Sequence, residues 1–72
     1  MNLEELVFEA IREYASCSVL ADVPEIMDFI KEKQELEDYQ MPKKDDIYRQ
    51  LIILQKTGWI VKDFKRGGYR VA

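Results

Sequence analysis

The residues of this chain that could do chemistry are mostly cations, and they gather in its last third. Eight lysines and arginines lie between Pro42 and Ala72 against three aspartates, whereas the first 41 residues carry three basic and eleven acidic side chains. The two parts therefore have net charges of +5 and −8, although the whole chain has −3. Because charges more than about 8 Å apart are largely screened in physiological salt, a partner responds to the local charge. The chemistry available to residues 42–72 is electrostatic recognition of a polyanion.

Residues suited to covalent or acid–base catalysis are scarce. The chain has no histidine, and its only cysteine, Cys17, can form neither an intrachain disulfide nor a Cys/His zinc site. Asp45-Asp46 and Glu37-Asp38 are adjacent carboxylates, but neighbouring residues of a helix point in different directions and chelate poorly. No Gly-Lys-Ser/Thr phosphate loop is present. We therefore expect no enzyme, metal, cofactor or small-molecule ligand, and we expect Cys17 to be a small buried side chain.

An amphipathic helix is predicted for residues 3–15. Its apolar residues recur at helical spacing, and charged residues occupy the rest of its surface. Asn2, followed three positions later by Glu5, has the pattern of a capping box at the helix start. Residues 16–21 lose the helical pattern, and this segment is a candidate for a short strand.

Two more helices are predicted, over 23–35 and 42–57. Asp22 is a favourable N-cap for the first of them, and a proline follows in its first turn. Pro42 fits the first turn of the second, although Asp45 could instead be its cap. The core is expected to include the apolar stripe of the last helix and two residues beyond it: Ile47, Leu51, Leu54, Trp59 and Ile60.

A β-hairpin is predicted for residues 59–72. Aromatic and β-branched residues are frequent up to Phe64, and Gly67-Gly68 is suited to a two-residue turn with positive φ. In that register Phe64 lies opposite Val71. An adjacent register stays open, and a slip of one residue would exchange the two faces of the hairpin.

The order of helix, short extended segment, helix, turn, helix and hairpin resembles the winged-helix family, the wing-bearing branch of the helix-turn-helix proteins. The most specific stretch is residues 47–60, IYRQLIILQKTGWI. It is similar to the family's recurrent recognition-helix ending, with a leucine, a basic residue, a glycine and a hydrophobic strand start. Residues 65–70, KRGGYR, resemble a wing tip and its aromatic return strand. The resemblance implies a single α+β domain spanning residues 1–72.

In winged-helix proteins the third helix enters the major groove of duplex DNA, and the wing lies along phosphates or the neighbouring minor groove. The resemblance therefore implies a small transcriptional regulator that binds double-stranded DNA sequence-specifically. On the third helix the implied contacts are Lys43, Lys44, Arg49, Gln50 and Lys56. On the wing they are Lys65, Arg66, Tyr69 and Arg70. Asp45 and Asp46 would repel phosphates there unless they cap the helix, pair with lysine or accept from a cytosine amino group.

Other partners follow from size and charge. One such domain makes an interface of about 600–1,000 Å² with DNA, so a homodimer on a repeated or palindromic site is expected. The alternative is a protein-interaction module that binds a basic partner through the acidic N-terminal helices. The longest aliphatic run, residues 51–54, is far shorter than a bilayer span of about 20, and no signal pattern is present, so we expect a cytoplasmic protein without membrane contact. A regulator of 72 residues would suit a compact phage, virus or plasmid genome.

Overall fold

The computed structural model describes residues 2–72, which form an α+β fold of three helices and an antiparallel hairpin. In chain order the elements are α1 (Leu3–Ser16), α2 (Val23–Lys33), a 3-10 turn (Asp38–Gln40), α3 (Lys44–Lys56), β1 (Ile60–Lys62) and β2 (Tyr69–Val71). All three predicted helices and the predicted hairpin are therefore present. In the described part of the chain, no helix has the length and apolar character needed to cross a membrane.

The helix starts follow the capping signals in the sequence. The Asn2 side chain accepts a hydrogen bond from the backbone N–H of Glu5 at 2.8 Å. Asp22 and Glu25 form a reciprocal capping box, in which the Asp22 N–H donates to Oε1 of Glu25 at 2.9 Å. The prediction for Cys17 is wrong, because its side chain is exposed at the C-cap of α1, and helix ends commonly lie at the surface.

The helix α2 ends at Lys33, two residues before its predicted end. Glu35 takes a left-handed φ of 51°. The Leu36 N–H donates to the carbonyl of Lys31 at 3.0 Å, as in a Schellman-type ending. The predicted connection between the second and third helices is a loop that contains the single 3-10 turn.

The helix α3 begins at Lys44, two residues later than predicted, and Lys43 is its N-cap. Lys43 has extended backbone angles, and its carbonyl accepts the N–H of Asp46 at 3.0 Å, so the first turn is built from this residue onward. Pro42 therefore precedes the helix. Asp45 and Asp46 lie inside the first turn and do not occupy the cap.

The core lies between the three helices and the hairpin. Its buried side chains come from every helix, both strands and the segment between α1 and α2: Leu6, Val7, Ala10, Ile11, Ala21, Val23, Ile26, Ile30, Ile47, Leu51, Leu54, Ile60 and Tyr69. The predicted apolar stripe of the third helix and the burial of Ile60 are confirmed.

The prediction that Trp59 lies in the core is wrong. Its side chain is 59% exposed. Side chains alternate along an extended chain, so the burial of Ile60 directs Trp59 and Val61 outwards. The Trp59 ring instead meets the Phe8 ring of α1 edge-on, with 5.7 Å between their centroids.

The predicted hairpin register is also wrong. Val71 lies opposite Ile60 and not opposite Phe64, and Tyr69 lies opposite Lys62. The loop therefore spans residues 63–68, with Phe64 inside it and 85% exposed. The loop has six residues where a two-residue turn was predicted. It begins at Asp63 because the Asp63 side chain accepts hydrogen bonds from the backbone N–H groups of Lys65 and Arg66.

The return strand is also held from its other edge. Ala21 forms an antiparallel bridge with Tyr69, whose N–H donates to the Ala21 carbonyl at 2.7 Å. The candidate strand between the first two helices is thus reduced to this one bridge. Gly68 passes so close that a Cβ there would lie 3.0 Å from Cβ of Leu20 and 3.2 Å from the Ala21 oxygen. The resulting order across the sheet is β1, β2, Ala21.

Candidate nucleic-acid interface

The two parts of the chain differ in how their cations are paired. Lys31 forms a salt bridge with Asp38, and Nζ of Lys33 lies 2.8 Å from Oε1 of Glu9. Among residues 2–72 these are the only salt bridges within 4.0 Å. None of the eight basic residues from position 42 onward is paired in this way. The cations of the C-terminal part are therefore available to an external anion.

The outward face of α3 carries both charged and aliphatic side chains. It lies opposite the buried stripe and consists of Asp45, Arg49, Ile52, Ile53 and Lys56, all exposed. Arg49 stands near the middle of this face, so it is the best placed of the predicted base contacts. Gln50 is half-buried and lies nearer the stripe, away from the middle of the face. Ile52, 51% exposed, was missed, although its spacing from Arg49 indicates the same face.

The lysines of α3 mark its two ends. Lys43 and Lys44 are exposed at the start and Lys56 at the end. At 1.5 Å per residue, Lys44 and Lys56 lie about 18 Å apart along the axis, the rise of roughly five base pairs. They therefore cannot contact one phosphate together, but they could contact two separated phosphates.

Asp45 and Asp46 neither cap α3 nor pair with a lysine, the two roles that would reduce their repulsion of phosphates. The N-cap is Lys43, and no lysine forms a salt bridge with either aspartate in the described chain. Both carboxylates gain stability from the positive end of the helix dipole. Asp45 is exposed, so its carboxylate can accept a hydrogen bond from an external donor.

Asp63 holds the hairpin loop in shape. Its Oδ1 accepts the backbone N–H groups of Lys65 at 3.0 Å and Arg66 at 2.9 Å. Its carbonyl accepts the N–H of Gly67 at 2.9 Å, and its own N–H donates to the Gly68 carbonyl at 3.0 Å. The hydrogen bond from the Arg66 N–H is the largest cause that lowers the pKa of the Asp63 carboxyl below its ordinary value. Desolvation opposes it as the second-largest effect, and the bond from the Lys65 N–H adds to the lowering. The loop thus presents exposed Lys65 and Arg66 side chains from an ordered main chain.

The role of Asp63 was missed from the sequence. The signal was an aspartate ahead of a Lys-Arg-Gly-Gly run, because aspartate side chains commonly accept from backbone N–H groups two or three residues later. Gly67-Gly68 predicted a two-residue turn, whereas these glycines are the last two residues of the 63–68 loop.

Arg66 and Arg70 line one groove between the hairpin and the loop that follows α1. The groove has a volume of about 360 Å³, and its other walls are Ala15, Ser18, Val19, Leu20 and Val71. No carboxylate is among these residues. Guanidinium groups bind phosphate oxygens through several N–H donors, so the groove suits a phosphate. Ser18 adds a hydroxyl that nothing in the sequence had singled out.

Tyr69 differs from the other predicted contacts because its ring is buried, with 4% of the residue exposed. Burial raises the pKa of its hydroxyl above the ordinary value, and the nearby Asp22 and Tyr48 add to the shift. Nζ of Lys62 lies 5.8 Å from the centroid of its ring and 5.3 Å from that of Phe64. The Tyr69 ring therefore fixes the hairpin to the core and is unavailable to a ligand.

The candidate interface thus consists of the α3 outward face with its terminal lysines, the loop cations, and the groove of Arg66 and Arg70. Comparisons of the chain with protein-family models, with curated proteins and with solved structures found no match. The function is therefore inferred from the arrangement of the chain's own residues.

Proposed function

We propose that this protein binds duplex DNA as a small winged-helix regulator, with α3 in the major groove and the hairpin on phosphates. One observation carries the proposal. All eight cations from position 42 onward lack a salt-bridge partner within residues 2–72, whereas two of the three cations of the acidic part, Lys31 and Lys33, are paired. Unpaired cations gathered on a helix and a hairpin are suited to a polyanion, because each phosphate contact releases condensed counterions.

The order of the elements supports the winged-helix assignment. The chain runs α1, the Ala21 bridge, α2, α3, β1, the loop and β2, and the return strand lies between β1 and Ala21. This order is compatible with a winged helix in which the 63–68 loop is the wing. The three-helix unit would then direct α3 outwards beside the wing.

The α3 outward face would supply the base contacts. The major groove is wide enough for an α-helix, and arginine binds guanine O6 and N7 in a bidentate manner. Arg49 is exposed on this face and would make such a contact, while the exposed Ile52 and Ile53 would contact thymine methyl groups. Lys44 and Lys56 would contact backbone phosphates on either side.

The wing would supply contacts that do not depend on sequence. Arg66 and Arg70 share a groove that fits a phosphate, and Lys65 extends from the loop tip. Contacts to phosphates set affinity and register, whereas base contacts set specificity. The protein would act in the cytoplasm by occupying its site and so blocking or recruiting other machinery, without a catalytic step or cofactor.

The experiment is a titration of labelled duplex DNA, followed by fluorescence anisotropy at several salt concentrations. With about five phosphates neutralised, log K should fall against log salt with a slope near −4 to −5. Arg49→Ala should relax sequence preference at a cost of about 1–3 kcal/mol, and Arg66→Ala should weaken all sequences alike and flatten the slope by about one. Lys33→Ala, which removes a paired cation from the acidic part, is the control and should change neither. Absence of binding at low salt, or a slope near zero, would contradict the proposal.

A second candidate function is favoured by a groove of about 810 Å³ between α1 and α2. Its apolar lining is Tyr14, Phe29 and Leu36, and its charged lining is Glu13, Asp28, Glu32, Glu35 and one cation, Lys31, which is paired with Asp38. An apolar floor with an acidic rim suits a basic amphipathic segment of another protein. Binding of a lysine-rich amphipathic peptide that is abolished by Glu32→Lys, with DNA binding absent, would favour this adaptor function.

A further inference from the structure

We infer that the outer side of α1 around Phe8, together with Trp59, is the surface on which a second copy of this chain docks. In this dimer the two α1 helices run antiparallel across a two-fold axis. We call the surface formed by Glu4, Glu5, Phe8, Arg12 and Trp59 the α1 face. The inference stands apart from DNA binding, since self-association is measured without DNA.

The centre of the α1 face is aromatic and open to solvent. Trp59 is 59% exposed and Phe8 is half-buried, with their rings 5.7 Å apart at an interplanar angle of 72°. Beside them lies a groove of about 240 Å³, lined by Glu4, Glu5, Phe8, Leu54 and Trp59. Tryptophan and arginine are the side chains that most often anchor protein interfaces.

The charges of the α1 face lie on either side of Phe8. The Arg12 guanidinium carbon lies 5.8 Å from the centroid of the Phe8 ring. Within residues 2–72 Arg12 has no salt bridge, and neither has Glu5, although the other two cations of the acidic part are paired. Glu5 and Arg12 are seven residues apart, so they share one side of the helix and are separated by about 10.5 Å along its axis.

The order of Glu5, Phe8 and Arg12 along α1 is complementary to the same order in an antiparallel second copy. When two α1 helices cross antiparallel with the axis near Phe8, Glu5 of each copy lies opposite Arg12 of the other. The resulting contact is isologous, the usual form in a two-fold dimer. Two charge pairs would then flank a centre built from two phenylalanines and two tryptophans.

The groove beside Phe8 and Trp59 could bind the Arg12 side chain of the second copy. Its walls from Phe8, Leu54 and Trp59 can cover the apolar stem of an arginine, while Glu4 and Glu5 offer carboxylates to the guanidinium. Arg12 of a second copy meets both requirements. A basic peptide would instead face repulsion from Arg12, and a nucleic acid would face repulsion from Glu4 and Glu5. The placement of Glu5 and Arg12 on one side of α1, on either side of Phe8, therefore favours a second copy over either partner.

The experiment uses the full chain and its single tryptophan. Sedimentation equilibrium should show a reversible monomer–dimer equilibrium in the micromolar range, typical of small interfaces. Trp59 emission should shift to shorter wavelength as concentration rises, because dimer formation removes the ring from water. A wild-type chain that stays monomeric into the millimolar range, with constant emission, overturns the inference.

Charge reversal tests the antiparallel arrangement. Glu5→Arg and Arg12→Glu each place like charges opposite one another, so each should dimerise at least about tenfold more weakly. An equimolar mixture of the two variants should dimerise about as well as the wild type, because both cross-pairs again have opposite charges. Glu13→Arg, an equal charge change on exposed α1 surface outside the α1 face, is the control and should leave dimerisation unchanged. The inference is overturned if the single variants dimerise like the wild type, or if the mixture stays monomeric while circular dichroism shows both variants folded.

Discussion

Oδ1 of Asp63 lies 2.9 Å from the backbone nitrogen of Arg66, so the only carboxylate of the hairpin binds the main chain of a cationic residue and not its side chain. The same oxygen accepts from Lys65 at 3.0 Å. This arrangement orders the loop and leaves both cationic side chains exposed. The Asp63 carboxylate therefore orders the loop backbone from which the Lys65 and Arg66 side chains extend into solvent.

Asp63→Ala and Asp63→Asn are expected to behave differently. Alanine removes both side-chain hydrogen bonds, so the amides of Lys65 and Arg66 should exchange faster with solvent and DNA affinity should fall. Asparagine keeps an Oδ1 acceptor but removes the negative charge, so exchange should rise by less than in Asp63→Ala, and DNA affinity should hold or rise. Amide hydrogen exchange by NMR and DNA titration measure the two effects. Equal behaviour of the two variants would mean that the carboxylate acts only through its charge.

The loop is also expected to loosen in acid. Hydrogen bonds from Arg66 and Lys65 lower the pKa of Asp63 in the folded protein below the ordinary value of about 3.9. A depressed pKa contributes stability that is complete above the unfolded value and is lost as pH falls through the folded value. Protection of the Arg66 amide should therefore be constant from neutral pH to about pH 5 and decline below about pH 4, after correction for intrinsic exchange. In Asp63→Asn this decline should be absent, and its persistence there would assign it to another group.

Gly68→Ala is expected to destabilise the protein more than Gly67→Ala. Both positions have positive φ, 86° and 76°, which costs an alanine about 1–2 kcal/mol. Only at Gly68 would the new Cβ also meet Leu20 and the Ala21 carbonyl, so overpacking should add about 1–3 kcal/mol. Urea denaturation of the two variants measures the difference, and equal losses would show that the strand edge moves to accept the methyl group.

Two identical substitutions on α3 should separate its inner and outer faces. Ile47 is fully buried, so Ile47→Ala should cost about 2–5 kcal/mol of unfolding free energy. Ile52 is 51% exposed, so Ile52→Ala should change stability by no more than about 0.5 kcal/mol. Denaturation at low temperature keeps the first variant measurable. A large loss in the second would mean that Ile52 is covered in solution.

Asp45→Asn is expected to raise affinity for all DNA sequences, because it removes a negative charge from the exposed start of α3. Titrations of the wild type and the variant on matched duplexes measure this. Glu32→Gln, which removes a carboxylate on the acidic part, should have little effect. A loss confined to the preferred site would instead show that Asp45 accepts a hydrogen bond from a base.

Local patterns in the sequence were sufficient for the elements of the fold. Helical periodicity located the buried stripe of Ile47, Leu51 and Leu54, and the capping residues Asn2 and Asp22 located two helix starts to the residue. These features depend on contacts between residues three or four apart. The uneven distribution of charge was likewise complete in the sequence.

Features set by contacts between distant residues needed the tertiary structure. Trp59 is as hydrophobic as a core residue. Because the Ile60 side chain faces the core, however, the Trp59 side chain lies at the surface beside Phe8. Hydrophobicity alone cannot predict which of two adjacent residues at the start of a strand faces inwards. The pairing of β1 with β2 decides that, and the register of the pairing depends in turn on the Asp63 loop and on the Ala21 bridge.

For the candidate interface, too, some features follow from the sequence and others only from the tertiary structure. The sequence by itself determined which residues carry positive charge and that eight of the eleven follow the second helix. Only the tertiary structure decided that these cations are unpaired, that Arg66 and Arg70 share one groove, and that the Tyr69 ring is buried. Charge is a property of each side chain, whereas pairing and burial depend on what the fold brings within a few ångströms of it.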